Sequence, residues 1–578
     1  MYREEYPRPQ FKRENWKNLN GKWEFVIDET MTDKDAFSAI SLPMEIEVPF
    51  CPESKLSGIE NKDFMKSVWY RKKIQIRKND LEGRVLIHFG AVDYIAILYV
   101  NGNKAGAHKG GYSSFFFDIT EYLNEGENTI VLNALDDTKS DVIPTGKQSE
   151  RQNSWGCYYT RTTGIWQTVW LEFTAERYIR NVKITPDIDK KAVNFKGLIN
   201  ESGEYQLEIK IYLDGEKVNE TKQSVSGNNF NLTLIFKEIK LWKPGTPILY
   251  DVEFVLMYQN KKDNVSSYFG FRKVSFDGKK FCLNNKPLFL SQVLDQGFYP
   301  DGIYTAPSDE ALKKDIEMSM ELGFNGARLH EKVFEERFLY HCDKMGYLVW
   351  GEYPNWGCPF KRSNPNGVEN VIEEWKEIIT RDYNHPSIIG WCPLNEAWLC
   401  GQQPSDYKSQ KKIYDITKAY DSTRICIGCS GGDIFAGEVN DVHSYNHNAE
   451  NLKKKIFSCK NSHSDLLRFV RNLLGAKLMT RKQLEDMPLY ISEFGGLTFK
   501  AVGKTWGYHS EYVSEENLLN KYEELARVIY ESGAFGFCYT QLYDVEQEQN
   551  GLIRYDRTPK LSAKGIRQLK EINTKNDS

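Results

Sequence analysis

The chain has 578 residues, 40 % of them apolar and 27 % charged, which is globular composition spread over too much length for one ordinary core. With 80 acidic and 76 basic residues the net charge is −4, so there is no electrostatic reason to expect nucleic acid or an anionic membrane as partner. No run of about 18 apolar residues occurs, which excludes a transmembrane helix, and Met1-Tyr-Arg-Glu-Glu-Tyr-Pro7 has no apolar signal core, so a cytoplasmic protein is expected.

Residues 1–176 read as all-β. Short alternating or aromatic runs recur, among them Gly21–Phe25, Val68–Arg71, Arg84–Phe89, Ile95–Val100 and Gln167–Leu171. Turn chemistry separates them at Asn101-Gly102, Lys109-Gly-Gly111 and Asn124-Glu-Gly126. Asn-Gly between apolar runs signals a hairpin, because both residues accept positive φ. A jelly-roll sandwich follows. Residues 177–275 carry longer alternating runs, such as Tyr205–Leu213 and Leu249–Leu256, broken at Asp214-Gly215, Ser226-Gly-Asn-Asn229 and Pro244-Gly245. They suit a small immunoglobulin-like β-sandwich with no chemistry-bearing cluster, hence a spacer.

From 276 to 578 the pattern changes to apolar runs alternating with amphipathic helices. Eight runs are counted: Leu288–Val293, Gly326–His330, Tyr347–Glu352, Ile388–Glu396, Arg424–Ser430, Asp441–Tyr445, Leu489–Glu493 and Phe535–Tyr543. Ser308 before Asp309–Leu322 and Ser514 before Glu515–Glu531 read as helix caps, with Gly323 and Gly533 as stops, and a last helix is expected over Leu561–Ile572. Eight strand–helix units predict a C-terminal (β/α)8 TIM barrel. The link between runs five and six is too short for a full helix. The Lys-rich stretch Asn446–Asp486 is long enough to hold added ones.

A barrel places its site at the C-terminal ends of its strands. Run four ends at Asn395-Glu396 and run seven at Glu493, each a carboxylate where an apolar strand gives out. Two carboxylates about 5–5.5 Å apart are what a retaining glycosidase needs. Other run ends add Arg328, His330, His443, Tyr445, Tyr539 and Gln541, while Trp356 and Trp398 follow runs three and four. Polar groups mixed with aromatic faces suit a sugar. Eleven cysteines are scattered; Cys426 and Cys429 are three apart, but no second ligand pair lies near, so free thiols and no metal are expected. There is no H-E-x-x-H, G-x-S-x-G or phosphate-binding loop, and no cofactor is expected.

The segment Arg381-Asp-Tyr-Asn-His385-Pro-Ser-Ile-Ile-Gly-Trp-Cys-Pro-Leu-Asn395-Glu396 closely resembles the acid/base signature of glycoside hydrolase family 2. Leu19–Phe25, His108–Tyr112, Phe117–Thr120 and Thr163–Trp170 resemble that family's sugar-binding jelly roll, and the match spans nearly the whole chain. The resemblance implies Glu396 as acid/base, Asn395 on the sugar 2-OH, Glu493 as nucleophile and Tyr445 as its hydrogen-bond partner. It implies a glycoside substrate and a possible homo-oligomer. On specificity, Asn550 stands where the family's β-glucuronidases have a uronate-binding Lys, in the acidic loop Glu546–Gly551, which points away from a uronate. Tyr353 follows Glu352 where the long β-galactosidases place a Mg²⁺-binding His. The expectation is a β-galactosidase-like enzyme acting on a neutral terminal sugar. The alternatives are an α-L-arabinofuranosidase, a β-glucuronidase, a transglycosylase with the same two carboxylates, and a catalytically silent carbohydrate-binding protein.

Overall fold

The computed structural model describes residues 2–357, 365–397, 405–432, 434–457, 479, 481–508 and 511–575. The N-terminal part is an antiparallel two-sheet sandwich. One sheet orders Trp16–Asn18, Val169–Thr174, Arg84–Phe89 and Phe115–Asp118; the other orders Met44–Val48, Gly21–Ile27, Ser67–Ile76, Gly126–Leu135, Ile95–Val100 and Asn103–Lys109. Inward-facing Trp23, Phe25, Tyr70, Ile87, Leu98 and Leu132 fill the space between. Asn101 and Gly102 adopt φ of 49° and 82° at the Ile95–Lys109 hairpin, the geometry an Asn-Gly turn supplies.

The second part is a sheet of Ile179–Asp187, Ala192–Leu213, Glu216–Ile235, Tyr250–Tyr258 and Lys261–Phe269 around Phe195, Leu207, Phe254 and Phe269. Asp214-Gly215 and Pro244-Gly245 form hairpin turns as expected. Ser226–Asn229 does not. It lies inside one continuous strand, facing the register shift between Leu198 and Gly203 of its neighbour. Gly227 at φ 95°, with Gly203 paired to it, lets the two strands bend together without breaking. A buried Arg13 joins the sandwiches, bonding Asp263 at 2.8 Å and Glu172 at 2.7 Å.

Eight parallel strands form the C-terminal part: Leu290–Asp295, Gly326–Leu329, Leu348–Glu352, Ile388–Cys392, Ile425–Cys426, Asn440–Ser444, Leu489–Gly495 and Gly536–Thr540. Their order, 5-4-3-2-1-8-7-6, is that of the TIM barrel, with the ladder unpaired only beside the two-residue fifth strand. Ser308, Ser514 and Ser562 cap their helices by accepting from Ala311, Asn517 and Gly565 N–H. Ser562 moves the last helix start to Ala563, because Leu561 precedes the cap. Asn446–Asp486 carries helices at Ala449–Phe457 and Arg481–Asp486, its middle lying outside the described residues. Trp350, Tyr490, Leu294 and Cys538 pack the barrel interior, and Phe281 stacks on Phe535 to close its lower end. The upper mouth, at the C-terminal ends of the strands, is where a barrel carries its site.

The jelly roll covers part of that mouth. Its loop 136–163 reaches the turn after the third barrel strand, where Pro144 bridges Gly357. Asp136, at the root of this loop, is buried with Glu53 and Asp93. Burial lifts the Asp136 carboxyl to about 8, with Glu53's charge adding to it, and lifts Glu53 to about 7. An unfolded chain releases these protons near pH 4, so native stability declines as pH rises from about 4, up to about 7 for Glu53 and about 8 for Asp136. Asp136→Asn keeps the oxygen that accepts from Thr163 and removes the charge. It should raise the melting temperature at pH 8 and change it little at pH 4.5; thermal denaturation at both pH values checks this.

Candidate active site

Glu493 and Glu396 meet across the mouth. One oxygen from each and a ring nitrogen of His443 all lie within 4.8 Å of one another. Glu493 sits in the seventh strand, 4 % exposed, and accepts a very short hydrogen bond from the Tyr445 hydroxyl. Arg328 Nη1 is 3.1 Å from its other oxygen. Burial alone would lift the Glu493 carboxyl, but His443 and Arg328 overcome it and hold the group down at about 2. Glu396 follows the fourth strand, half-buried, at φ 45°. That left-handed backbone costs a side-chain-bearing residue about 1 kcal/mol or more. The Glu396 N–H, donating to the Ser430 carbonyl at 2.8 Å, keeps it there.

His443 stands between the two acids. Its Nδ1 is 2.8 Å from Glu396 and 3.3 Å from Glu493, while Nε2 meets Ser430 Oγ at 2.9 Å. Burial opposes charge on this ring, yet Glu493 and Glu396 drive its pKa above the ordinary value. Among the described residues this trio is the one group whose donor atoms are close enough to hold a cation, and the imidazole already hydrogen-bonds there. Glu352 is spoken for as well: Arg328 donates to it at 2.5 Å and His330 Nδ1 lies 2.8 Å away.

Two expected sugar contacts are thereby reassigned. Arg328 is wholly buried under the pocket, where it ties Glu352, Asn395 and Glu493 together. His330 is 2 % exposed beside it, and burial pulls its pKa to about 4, so it is neutral at pH 7. Tyr539 points the wrong way. It packs between Phe494 and Tyr522 of the surrounding helix and accepts from the Leu497 N–H at 3.3 Å. Strand neighbours alternate faces, so Thr540, touching Tyr445, takes the inward place. Trp398 lies outside the described residues.

The remaining candidates do gather. Asn395 accepts from Arg328 at 2.6 Å while its buried Nδ2 has no partner among the described residues. Trp356 hangs beside it, Nε1 donating to the Asn395 carbonyl at 3.2 Å. Gln541 donates to Asn550 at 2.7 Å, and Asn550 donates to Glu548 at 3.2 Å. Tyr159 donates a very short hydrogen bond to the same Glu548. Sequence reasoning missed Tyr159, Glu548, Tyr508 and Lys147. Tyr508 stacks on Tyr445 at 3.5 Å, and Lys147 lies over Trp356. None of the four ends an apolar run, and Tyr159 and Lys147 belong to the jelly-roll loop, so strand-end logic could not find them.

Three family models match: the sugar-binding domain of glycosyl hydrolases family 2 over residues 16–174, the family's second domain over 177–272, and its TIM barrel domain over 274–573. A β-galactosidase of Thermoanaerobacter pseudethanolicus is 29 % identical over 462 residues, 76 % of this chain and 57 % of that protein, so the chain spans little more than half of that relative's length. A β-glucuronidase of Sus scrofa is 26 % identical over 72 % of this chain and 69 % of its own. The crystal structure of a β-galacturonidase from Eisenbergiella tayi has the same fold, with a TM-score of 0.75 at 20 % identity, covering 100 % of this chain and 98 % of that one. No helix among the described residues is long and apolar enough to cross a membrane. With matching models along nearly its full length and the barrel in place, the chain belongs to glycosyl hydrolase family 2.

Proposed function

We propose that the protein is a retaining exo-glycosidase that removes a terminal sugar by double displacement. The observation that carries this reading is the spacing of Glu493 and Glu396, with oxygens within 4.8 Å, suited to a retaining rather than an inverting pair. Glu493, ionised at any ordinary pH, attacks the anomeric carbon as Glu396 gives its proton to the leaving oxygen. The glycosyl–Glu493 ester forms and the glycosidic C–O bond breaks. Glu396, now a carboxylate, takes a proton from water, whose oxygen displaces Glu493. Burial and the Glu493 charge keep the Tyr445 phenol protonated, so it continues to donate to the nucleophile and orients it. The unpartnered Asn395 Nδ2 supports its place on the 2-OH.

The sugar itself is the finer part of the reading. Relatives are named for neutral and for acidic sugars alike. The neutral-sugar, β-galactosidase-like expectation rested on Asn550 and the acidity of its loop. Both acids of that loop are engaged internally, Glu548 with Tyr159 and Asn550, Glu546 with the Thr160 N–H at 3.2 Å. Their charge is therefore weaker evidence against an acidic sugar than the sequence alone indicated. The direct test is a panel of nitrophenyl glycosides covering β-galactoside, β-glucoside, β-mannoside, α-L-arabinofuranoside, β-glucuronide and β-galacturonide, with the product followed by proton NMR. Retention of configuration in the first-formed sugar is expected; inversion, or no turnover of any member, overturns the reading.

A further inference from the structure

Lys147 belongs to the jelly roll in sequence and to the barrel mouth in space. Its segment is docked by the backbone: Thr145 and Gly146 N–H donate to the Trp356 carbonyl at 2.9 and 3.0 Å, and Tyr159 N–H donates to the Lys147 carbonyl at 2.8 Å. Gly146, at φ 53°, permits the approach, since a Cβ there would stand 2.6 Å from the Glu331 carbonyl oxygen. The side chain then crosses the face of Trp356, with Nζ 4.7 Å from the ring centre. Trp356 is the residue hydrogen-bonded to Asn395, next to Glu396. The ammonium consequently stands in the field of Cys157, Glu548, Glu493 and Glu331.

Lys147 is only 4 % exposed, yet among the described residues its ammonium makes neither a hydrogen bond nor an ion pair. Other buried lysines here are satisfied. Lys332 donates to the Gly297 and Tyr304 carbonyls, and Lys560 to Asp544 and the Gln549 carbonyl. The acids around Lys147 bond other groups: Glu548 accepts from Tyr159 and Asn550, one oxygen of Glu331 accepts from the Trp356 N–H, and Glu493 meets Tyr445 and His443. Burial opposes the charge, yet the acidic groups around it raise the Lys147 pKa, so the ammonium stays charged and, with no direct acceptor among the described residues, is free to pair with one that a ligand brings. The acceptor that returns most is a carboxylate, which makes a charge-assisted hydrogen bond to an ammonium. A hydroxyl offers only a neutral acceptor, and so a weaker hydrogen bond.

We propose that Lys147 is the specificity-determining residue of the sugar pocket, its ammonium taking the carboxylate of a uronic acid held against Glu493, so that the preferred substrate is a uronide. This rests on Glu493 and Glu396 being the catalytic pair. Discrimination follows because a neutral sugar offers Lys147 only the weaker bond. The cation that selects the substrate thus comes from the jelly roll, while position 550 holds Asn.

The test measures kcat/KM of the full chain, wild type, Lys147→Met and Lys147→Arg, on two matched pairs of nitrophenyl glycosides: β-glucuronide with β-glucoside, and β-galacturonide with β-galactoside. Wild type should favour the uronide in at least one pair. Lys147→Met should lower that uronide-to-neutral ratio by about 100-fold or more, and Lys147→Arg should recover part of it. Thermal denaturation should show Lys147→Met fully folded at the assay temperature, so that a changed ratio reports recognition rather than unfolding. An unchanged ratio in Lys147→Met, or preference for the neutral member of both pairs, overturns the proposal. Calorimetric titration with free glucuronate and galacturonate keeps the two readings apart. Uronate binding that Lys147→Met abolishes supports the cation's role even if no glycoside is hydrolysed, and equal binding by both proteins refutes it.

Discussion

Replacing Glu493 by Gln should lower turnover of aryl glycosides by about 10⁴-fold or more, because the amide cannot form the glycosyl ester. The substitution is nearly isosteric, and its carbonyl oxygen can still accept from Tyr445, so the fold should survive. A further consequence falls on His443. Its raised pKa depends first on Glu493 among the groups that favour its charge, so removing that carboxylate should bring the imidazole pKa down, readable by NMR titration of the ring. In wild type, a 2-fluoro-glycoside of the preferred sugar should label Glu493, identified by mass spectrometry of the peptide containing Ser492–Gly496. Turnover persisting in Glu493→Gln, or label on another residue, would sink the nucleophile assignment.

How far this site was readable before the fold was known depended on the kind of neighbour each residue has. Glu396 and Glu493 stood out because an apolar strand leading to a carboxylate is a local pattern, and the barrel rule places such ends in one mouth. Tyr539 shared that pattern and misled: it lies one residue before Thr540, and the side that faces the helix shell alternates with the side that faces the pocket. Arg328 and His330 lie buried beside Glu352, beneath the pocket, a matter of depth that a sequence does not record. Ser226–Asn229 carries turn residues, yet the pairing of Gly203 with Gly227 turned a break into a bend. Lys147 was beyond reach for a different reason. A loop of one domain enters the mouth of another, and no periodicity within either signals their contact. Its consequence is chemical, since the expectation of a neutral sugar came from a loop read without the cation that faces it.

Glu396 offers a test that separates the two halves of the reaction. Its proton matters in the first step only when the leaving oxygen is a poor leaving group, whereas its carboxylate matters in the second step for every substrate. In Glu396→Gly, kcat/KM for a methylumbelliferyl or alkyl glycoside should fall by about 10³-fold, and for a 2,4-dinitrophenyl glycoside by less than about 10-fold. For the latter, kcat should fall steeply because the glycosyl–Glu493 ester then waits for unassisted water. Azide, which needs no base, should restore kcat and yield a glycosyl azide of retained configuration. Glycine is the right replacement for a structural reason. At φ 45° the backbone there suits a residue without Cβ, so the variant should fold and melt close to wild type although its activity collapses. Glu396 thus holds an unfavourable backbone angle at the one place where its carboxylate lies 2.8 Å from His443 and across from Glu493. A uniform fall for all leaving groups, with no response to azide, would show that Glu396 positions other groups rather than exchanging the proton.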